Sequence, residues 1–148
     1  MSSTTRVVAI LAMAAFASTS AFRILDPAIP QLSQEFNVTT GHAGDVVMWF
    51  ALAYGIAQFF YGPIGDRYGK FRVLTLATLA SCLGSLVVAL APTFEIVLLG
   101  RFLSGATSAA IVPLALAWIG DHVPYEKRQA TLARFSLGNI IGITTGLW

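Results

Sequence analysis

The sequence predicts an all-α protein in which several helices cross a membrane as one bundle. Of its 148 residues, 56% are hydrophobic and only 11% are charged. Soluble domains usually carry about 25% charged residues, so this chain lacks the polar surface that water requires. Its apolar residues also fall into long blocks, with no regular alternation of polar and apolar positions. A polytopic transmembrane helical bundle is the fold class that accounts for both observations.

Five blocks approach the roughly 20 apolar residues that a helix needs to cross the hydrocarbon. They form one domain, residues 1–148, and cover 7–25, 46–62, 73–91, 96–119 and 130–148. The first block has some features of a signal peptide, because Arg6 precedes it and small residues lie near its end. Four further apolar blocks follow, which favours a retained first helix. Short connections predict that neighbouring spans are antiparallel, and Pro113 is expected to kink the fourth span.

The distribution of Lys and Arg in the short loops predicts the orientation. Segments 31–45 and 92–95 contain neither residue, whereas the loops on the other face contain Arg67, Lys70, Arg72, Lys127 and Arg128. The N-terminus is therefore predicted to be cytoplasmic, in a multi-pass protein of the cell (inner) membrane. The three tryptophans are each expected near a membrane interface, where amphipathic rings prefer to lie; they are Trp49, Trp118 and Trp148.

The loop between the second and third spans carries the most specific motif, GPIGDRYGKFR over residues 62–72. Its spaced glycines permit a tight reversal and close helix approach, and Asp66 can accept from helix N-terminal amides or pair with a base. The motif resembles the signature of the major facilitator superfamily, and the alternative is an ordinary basic inner loop. The resemblance implies a major facilitator fold, with spans 1–5 of its N-terminal six-helix half in this chain. It also implies a conformational latch formed by Gly62, Gly65, Asp66, Arg67, Gly69, Lys70 and Arg72.

Three further segments resemble the same family. Residues 23–30 look like the outer end of the first helix in bacterial drug- and sugar-efflux members, and Arg101 followed by Gly105 is similar to the fourth-helix motif. The row Gly138, Gly142 and Gly146 resembles the glycine motif of the antiporter branch, although Ile143 and Leu147 stand where that motif has proline and a second glycine. The alternative for these three glycines is a close-packing face between helices.

Charges within the spans are the candidates for proton coupling, because a charged side chain at the bilayer centre costs about 2.5 to 3.5 kcal/mol. Arg23, Asp26 and Arg101 are predicted at similar depth in the outer half. The implied fold places the first and fourth helices at the central cavity, so Asp26 is expected to exchange a proton beside Arg101. The alternatives are that Arg101 snorkels to the interface, that Asp26 caps the turn before Pro27, or that Arg23 and Asp26 pair with each other.

The remaining polar residues of the spans, Tyr54, Gln58 and Asn139, are expected either to line the cavity or to form interhelical hydrogen bonds. His42 and His122 are predicted to be solvated, and no residue set has metal-ligand spacing. No metal, cofactor or catalytic residue is therefore expected. The basic residues form no stripe, so nucleic acid is not an expected partner.

The predicted function is secondary transport, as proton-coupled efflux of a small organic compound. The expected partners are the lipid bilayer, the substrate, protons and missing C-terminal helices, because family members have twelve spans in two halves. A chain with five spans is expected to be inactive alone, as the product of a truncated or interrupted reading frame. The alternatives are a non-transporting fragment that binds other helices and a membrane-embedded enzyme. The enzyme is disfavoured because the sequence has no H-E-x-x-H and no paired aspartate motif.

Overall fold

A computed structural model describes residues 3–146 of the chain, with side chains from residue 5 onward. Trp148, Leu147 and the end of the fifth predicted span lie outside this range. The described part consists of helices and short connections, without strands. Its helices are α1 (Ser3–Arg23), α2 (Ile29–Glu35), α3 (Thr40–Ala43), α4 (Asp45–Tyr68), α5 (Lys70–Ala89), α6 (Phe94–Ser108), α7 (Ile111–His122) and α8 (Tyr125–Thr145). The predicted all-α helical bundle is thus confirmed.

Four segments of the described chain are long and apolar enough to cross a membrane, namely Thr5–Arg23, Thr40–Tyr68, Lys70–Ala89 and Phe94–His122. They overlap the first four predicted spans, of which 7–25 and 73–91 each extend two residues past the end of the corresponding segment. The fifth predicted segment forms α8, which is a helix of 21 residues but is not among these four. Large apolar side chains cover the outside of the bundle, including Phe59 (78% exposed) and Leu90 (72% exposed). Water would not tolerate such a surface, so the bundle is a multi-pass membrane protein.

The two ends of the bundle differ in chemistry. At one end lie the α4–α5 junction with Arg67, Lys70 and Arg72, and the α7–α8 junction with Lys127 and Arg128. We call this the basic end. The opposite end carries the two short helices α2 and α3, and we call it the cap end.

The cap end is more ordered than the connection that the sequence predicts for residues 31–45. Leu32 and Phe36 of the α2 region pack on Val46 and Phe94, at the starts of α4 and α6. The Thr39 hydroxyl accepts a hydrogen bond from the His42 backbone N–H at 3.2 Å and so caps α3. These apolar and capping contacts fix a segment that hydropathy alone assigns to a loop.

The fourth predicted span is broken into two helices. α6 ends at Ser108 and α7 begins at Ile111, two residues before Pro113. Proline has no N–H to donate and its ring clashes with the carbonyl four residues earlier, here that of Ala109. The predicted kink is therefore present as an interruption of the helix at residues 109 and 110.

Small residues hold α5 and α6 together in an antiparallel pair. A Cβ at Gly84 would lie 2.9 Å from the backbone nitrogen of Ser104, and one at Gly100 would lie 3.0 Å from the Gly84 carbonyl oxygen. Deeper in the contact, the hydroxyls of Ser81 and Ser108 are 2.7 Å apart. Helices in lipid associate through close packing and polar contacts of this kind, because lipid tails are as apolar as the side chains.

Candidate functional site

The α4–α5 junction at the basic end contains the predicted latch residues. The hydropathy of the sequence predicts a loop after residue 62, but α4 continues through Pro63 to Tyr68 and α5 begins at Lys70. Only Gly69 separates the two helices, and its φ of 93° lies in the left-handed region that favours glycine. The chain therefore reverses at one residue, and most of the predicted loop belongs to the ends of two helices.

The glycines of this junction differ in what they contact. A Cβ at Gly65 would collide with the Leu114 side chain, so Gly65 permits α4 to approach α7 closely. Gly62 has nothing within 4 Å of a Cβ position. Of the three predicted latch glycines, Gly65 thus serves a close approach and Gly69 a backbone conformation, whereas the structure gives no steric reason for Gly62.

Lys70 contacts two carboxylates, that of Asp66 on α4 and that of Asp121 on α7. Its Nζ donates to Asp121 Oδ2 at 2.5 Å and lies 3.3 Å from Asp66 Oδ1. Lys70 is the first residue of its segment and Asp121 the second-last residue of its own, so both lie outside the apolar blocks 73–91 and 96–119. The hydrogen bond to Asp121 is the main cause that raises the pKa of Lys70, and the same bond lowers the pKa of Asp121. Both Lys70 and Asp121 are therefore charged at neutral pH.

The sequence gives no reason to select Asp121, and it indicates Arg128 only as one basic residue of a short loop. Arg128 Nη2 donates to the Gly120 carbonyl at 2.6 Å and so satisfies a carbonyl near the end of α7. Asp121 reaches Lys70 only through the packing of α7 against the α4–α5 junction.

Arg101 lies on α6 near the cap end and is 3% exposed. It donates to three backbone carbonyls, from Nη1 to Ala21 at 2.7 Å, from Nε to Val46 at 3.0 Å and from Nη2 to Phe22 at 3.2 Å. Its guanidinium also lies 4.1 Å from the centroid of the Phe50 ring. Arg101 therefore joins the end of α1 to the start of α4, and the alternative that it snorkels to the interface is wrong.

Asp26 pairs with Arg23 and not with Arg101. Arg23 Nη1 donates to Asp26 Oδ2 at 3.1 Å, at the i and i+3 positions that one of the alternatives specifies. The other oxygen, Oδ1, is buried and has no hydrogen-bond partner among the described residues. The expected direct contact between Asp26 and Arg101 is absent, and the three hydrogen bonds of the guanidinium go to backbone carbonyls. Asp26 remains close enough to Arg101 to act on it electrostatically.

The other cavity candidates lie in different places. Tyr54 is half-buried, and its ring stacks on Phe50 with centroids 6.3 Å apart, next to the Arg101 guanidinium. Gln58, one helical turn further along α4, is exposed. Asn139 lies on α8 against α1, where its backbone carbonyl accepts a hydrogen bond from the Thr19 hydroxyl at 3.2 Å. The structure thus brings Tyr54, but neither Gln58 nor Asn139, to the ring beneath Arg101.

Gly105 and the glycines of α8 allow backbones to touch. A Cβ at Gly105 would collide with the Phe50 backbone, so α6 lies directly on α4. Gly138, Gly142 and Gly146 all face α1, where added Cβ atoms would meet the backbones of Ala12, Phe16 and Ser20 respectively. Because both sets of numbers increase together, α1 and α8 run parallel. The three glycines thus form a close-packing face between helices, which is one of the two interpretations of their spacing in the sequence.

No group of three or more His, Cys, Asp or Glu side chains within residues 3–146 has the arrangement of a metal site. The fold and its two polar clusters define a class, namely multi-pass helical membrane proteins with an ionic contact between helix ends on one face and a buried arginine near the other.

Comparison with known proteins identifies the family. The chain matches the model of the Major Facilitator Superfamily over residues 11–148 and belongs to that family. It is 29% identical over 140 residues to an uncharacterized MFS-type transporter, YwfA, of Bacillus subtilis, covering 92% of this chain and 34% of the relative. It is 27% identical over 111 residues to the quinolone resistance protein NorB of Staphylococcus aureus, covering 75% of this chain and 24% of that protein. The chain thus spans about a third and a quarter of the lengths of these two relatives.

Proposed function

We propose that this chain forms the N-terminal part of a secondary transporter that exports small organic compounds and couples their movement to protons. The family match over residues 11–148 carries this proposal. Export is favoured because one relative is named as a quinolone resistance protein. The substrate class is accordingly a small organic compound, bound at a cavity that further helices complete.

The basic end faces the cytoplasm and the cap end faces outward in this proposal, with the bundle in the inner membrane. The basic residues at the α4–α5 and α7–α8 junctions support this orientation through the positive-inside rule. A transporter of this kind works by rocking one half of the protein against the other around a central site. The contacts at the two ends of the bundle are then the ones that change during the cycle.

The latch proposal rests on the geometry of the α4–α5 junction. Lys70 bonds to Asp66 on α4 and to Asp121 on α7, so this ion pair network stabilises one arrangement of the helix ends. Arg67, Gly69 and Arg72 complete the proposed latch around it. Exposed ion pairs are weak and reversible, which suits a contact that forms in one state and is released in another.

The proton-coupling proposal places the exchanging proton on Asp26. Its Oδ1 is buried without a partner and is therefore available to accept a proton, while Oδ2 is bonded to Arg23. Arg101 acts on Asp26 only through space, and it also fixes the backbone of α1 just before Asp26. Protonation of Asp26 would release Arg23, and this release is the proposed link between proton movement and the cap end.

Substitution Asp26→Asn in the complete transporter tests this mechanism. We expect uptake of a fluorescent organic cation into inverted vesicles, driven by an imposed pH gradient, to fall to background. Glu35→Gln is the matched control, because Glu35 is an exposed carboxylate of the same end, and it should leave uptake unchanged. Gradient-driven uptake that survives Asp26→Asn would refute the role of Asp26 in coupling.

The 148 residues alone are proposed to be inactive, because alternating access requires two halves that enclose the site. Vesicles that contain only this chain should show no gradient-driven uptake. Sequencing the DNA downstream of the Trp148 codon shows whether the remaining spans are encoded there. Transport by the 148-residue chain would contradict the proposal. Absence of any further spans, encoded there or separately, would favour a non-transporting fragment that binds other helices.

A further inference from the structure

Two cavities of opposite character meet at the basic end. The first has a volume of about 570 Å³ and is lined by the polar α4–α5 junction together with Trp118, Asp121 and His122. The second, about 480 Å³, runs along the apolar surfaces of α4 and α5. Tyr68 and Arg72 line both cavities, so the two lie next to each other at these side chains. We propose that they form a binding site for one anionic phospholipid, with its phosphodiester in the first cavity and an acyl chain in the second.

The charges of the first cavity fit a phosphodiester. Lys70 is occupied by the two carboxylates of this cavity. Arg67 and Arg72 are exposed, and neither forms an ion pair with a carboxylate within residues 3–146. Two guanidinium groups without carboxylate partners therefore face the cavity, and guanidinium binds phosphate oxygens in bidentate geometry.

Aromatic side chains place this cavity at the level of lipid headgroups. Trp118 stacks on the His122 ring with centroids 4.4 Å apart, and the Phe71 ring lies 6.5 Å from that of Trp118. Trp residues prefer the membrane interface, where the ring meets both water and hydrocarbon. The polar cavity thus opens where phosphodiester groups occur at high density.

The second cavity has the polarity and length that an acyl chain needs. Apart from the two shared residues, its lining includes Tyr61, Leu76, Ala80 and Thr107. From Arg72 to Ala80 the helix rises by about 12 Å. One leaflet of the hydrocarbon is about 15 Å thick, half of the usual bilayer core. The cavity therefore extends through most of a leaflet, and a free phosphate would leave it empty.

Native mass spectrometry of the 148-residue protein, titrated with dioleoyl phosphatidylglycerol, tests the proposal. Arg72→Gln should weaken retention of one phosphatidylglycerol about tenfold, because it removes a charge-assisted contact. Arg134→Gln, at an exposed arginine of α8 that lines neither cavity, should not. Ala80→Trp should reduce retention by filling the apolar cavity, whereas Leu79→Trp, at a 58% exposed neighbour, should leave it unchanged.

Competition distinguishes the sources of phosphate. Phosphatidylcholine should bind at least several-fold more weakly, and inorganic phosphate at equal concentration should not displace phosphatidylglycerol. Equal retention of the two lipids, or full displacement by phosphate with no effect of Ala80→Trp, would overturn the lipid site. A dimer that excludes lipid would instead identify the groove as a protein contact and would overturn it too. If Arg72→Gln fails to give the helical circular dichroism of the parent chain, Arg67→Gln serves as the second variant with the same expected loss. The proposal requires only that the chain is embedded in a bilayer and does not depend on the proposed transport.

Discussion

Substitutions of Arg101 test whether this buried arginine stabilises the bundle through the hydrogen bonds of its planar guanidinium. Two of its acceptors, the carbonyls of Ala21 and Phe22, lie in the last turn of α1, where carbonyls lack intrahelical donors. Arg101→Met keeps an unbranched side chain but leaves both part-buried carbonyls without this donor. A fully buried unsatisfied group costs about 1 to 3 kcal/mol, so the two part-buried carbonyls together should lower the free energy of unfolding by up to about 6 kcal/mol.

Arg101→Lys separates geometry from charge. An ammonium is a compact donor without the planar fork of a guanidinium, so Lys at this position should reach one of the two carbonyls and recover about half of the loss. The measurement is reversible unfolding in mixed micelles, followed by circular dichroism. Arg134→Met is the control and should change stability by less than about 0.5 kcal/mol, as exposed substitutions do. Full recovery by Lys would show that charge alone matters, and equal stabilities of Arg101→Met and Arg134→Met would refute the structural role entirely.

Two further predictions concern the glycine row and the junction. Gly142→Ala would bring a Cβ to 2.5 Å from the Phe16 carbonyl oxygen, so it should cost about 1 to 3 kcal/mol by overpacking in the same unfolding assay. Gly120→Ala, with nothing within 4 Å, is the control, and equal losses would contradict the packing role. Asp121→Asn should increase hydrogen exchange around the α4–α5 junction, because Lys70 loses a partner. Since the pair lowers the pKa of Asp121 and raises that of Lys70, its contribution is present between their ordinary pKa values. It is lost as the pH falls through the lowered pKa of Asp121 or rises through the raised pKa of Lys70. In acid, the protection factors of the parent protein around the junction should therefore fall to those of the variant at neutral pH, and unchanged protection in the variant would contradict the contact.

Composition and hydropathy are sufficient to predict which segments become the long helices, because burial in lipid depends on the average polarity of about 20 residues. They misplace the end of α4, which continues through Pro63, because neither the hydrophobic average nor the glycines indicate that the polar residues 63–68 stay helical. Pro113 correctly marks the interruption of the fourth span, because the steric effect of proline is local to the chain.

The partners of the charged residues could not be predicted in the same way. Arg101 and Asp26 are both recognisable as costly charges, but their contacts depend on how α1, α4 and α6 pack. Backbone carbonyls are present at every residue, so no sequence pattern indicates that Ala21 will accept from Arg101. The partner of Asp121 could not be predicted either, because Asp121 and Lys70 are 51 positions apart in the sequence and meet only through helix packing.

The spacing of the α8 glycines has a consequence for how α1 and α8 can move. Gly138, Gly142 and Gly146 recur every four residues, close to one helical turn, and so do the α1 residues that they face. Displacing α8 by four residues, about 6 Å, would set Gly138 against Phe16 and Gly142 against Ser20, so two of the three backbone contacts would form again. The close packing of these three glycines therefore permits more than one register of α8 against α1. The register of this structure is selected by polar contacts, among them the hydrogen bond from Ser20 Oγ to the Gly142 carbonyl at 3.0 Å.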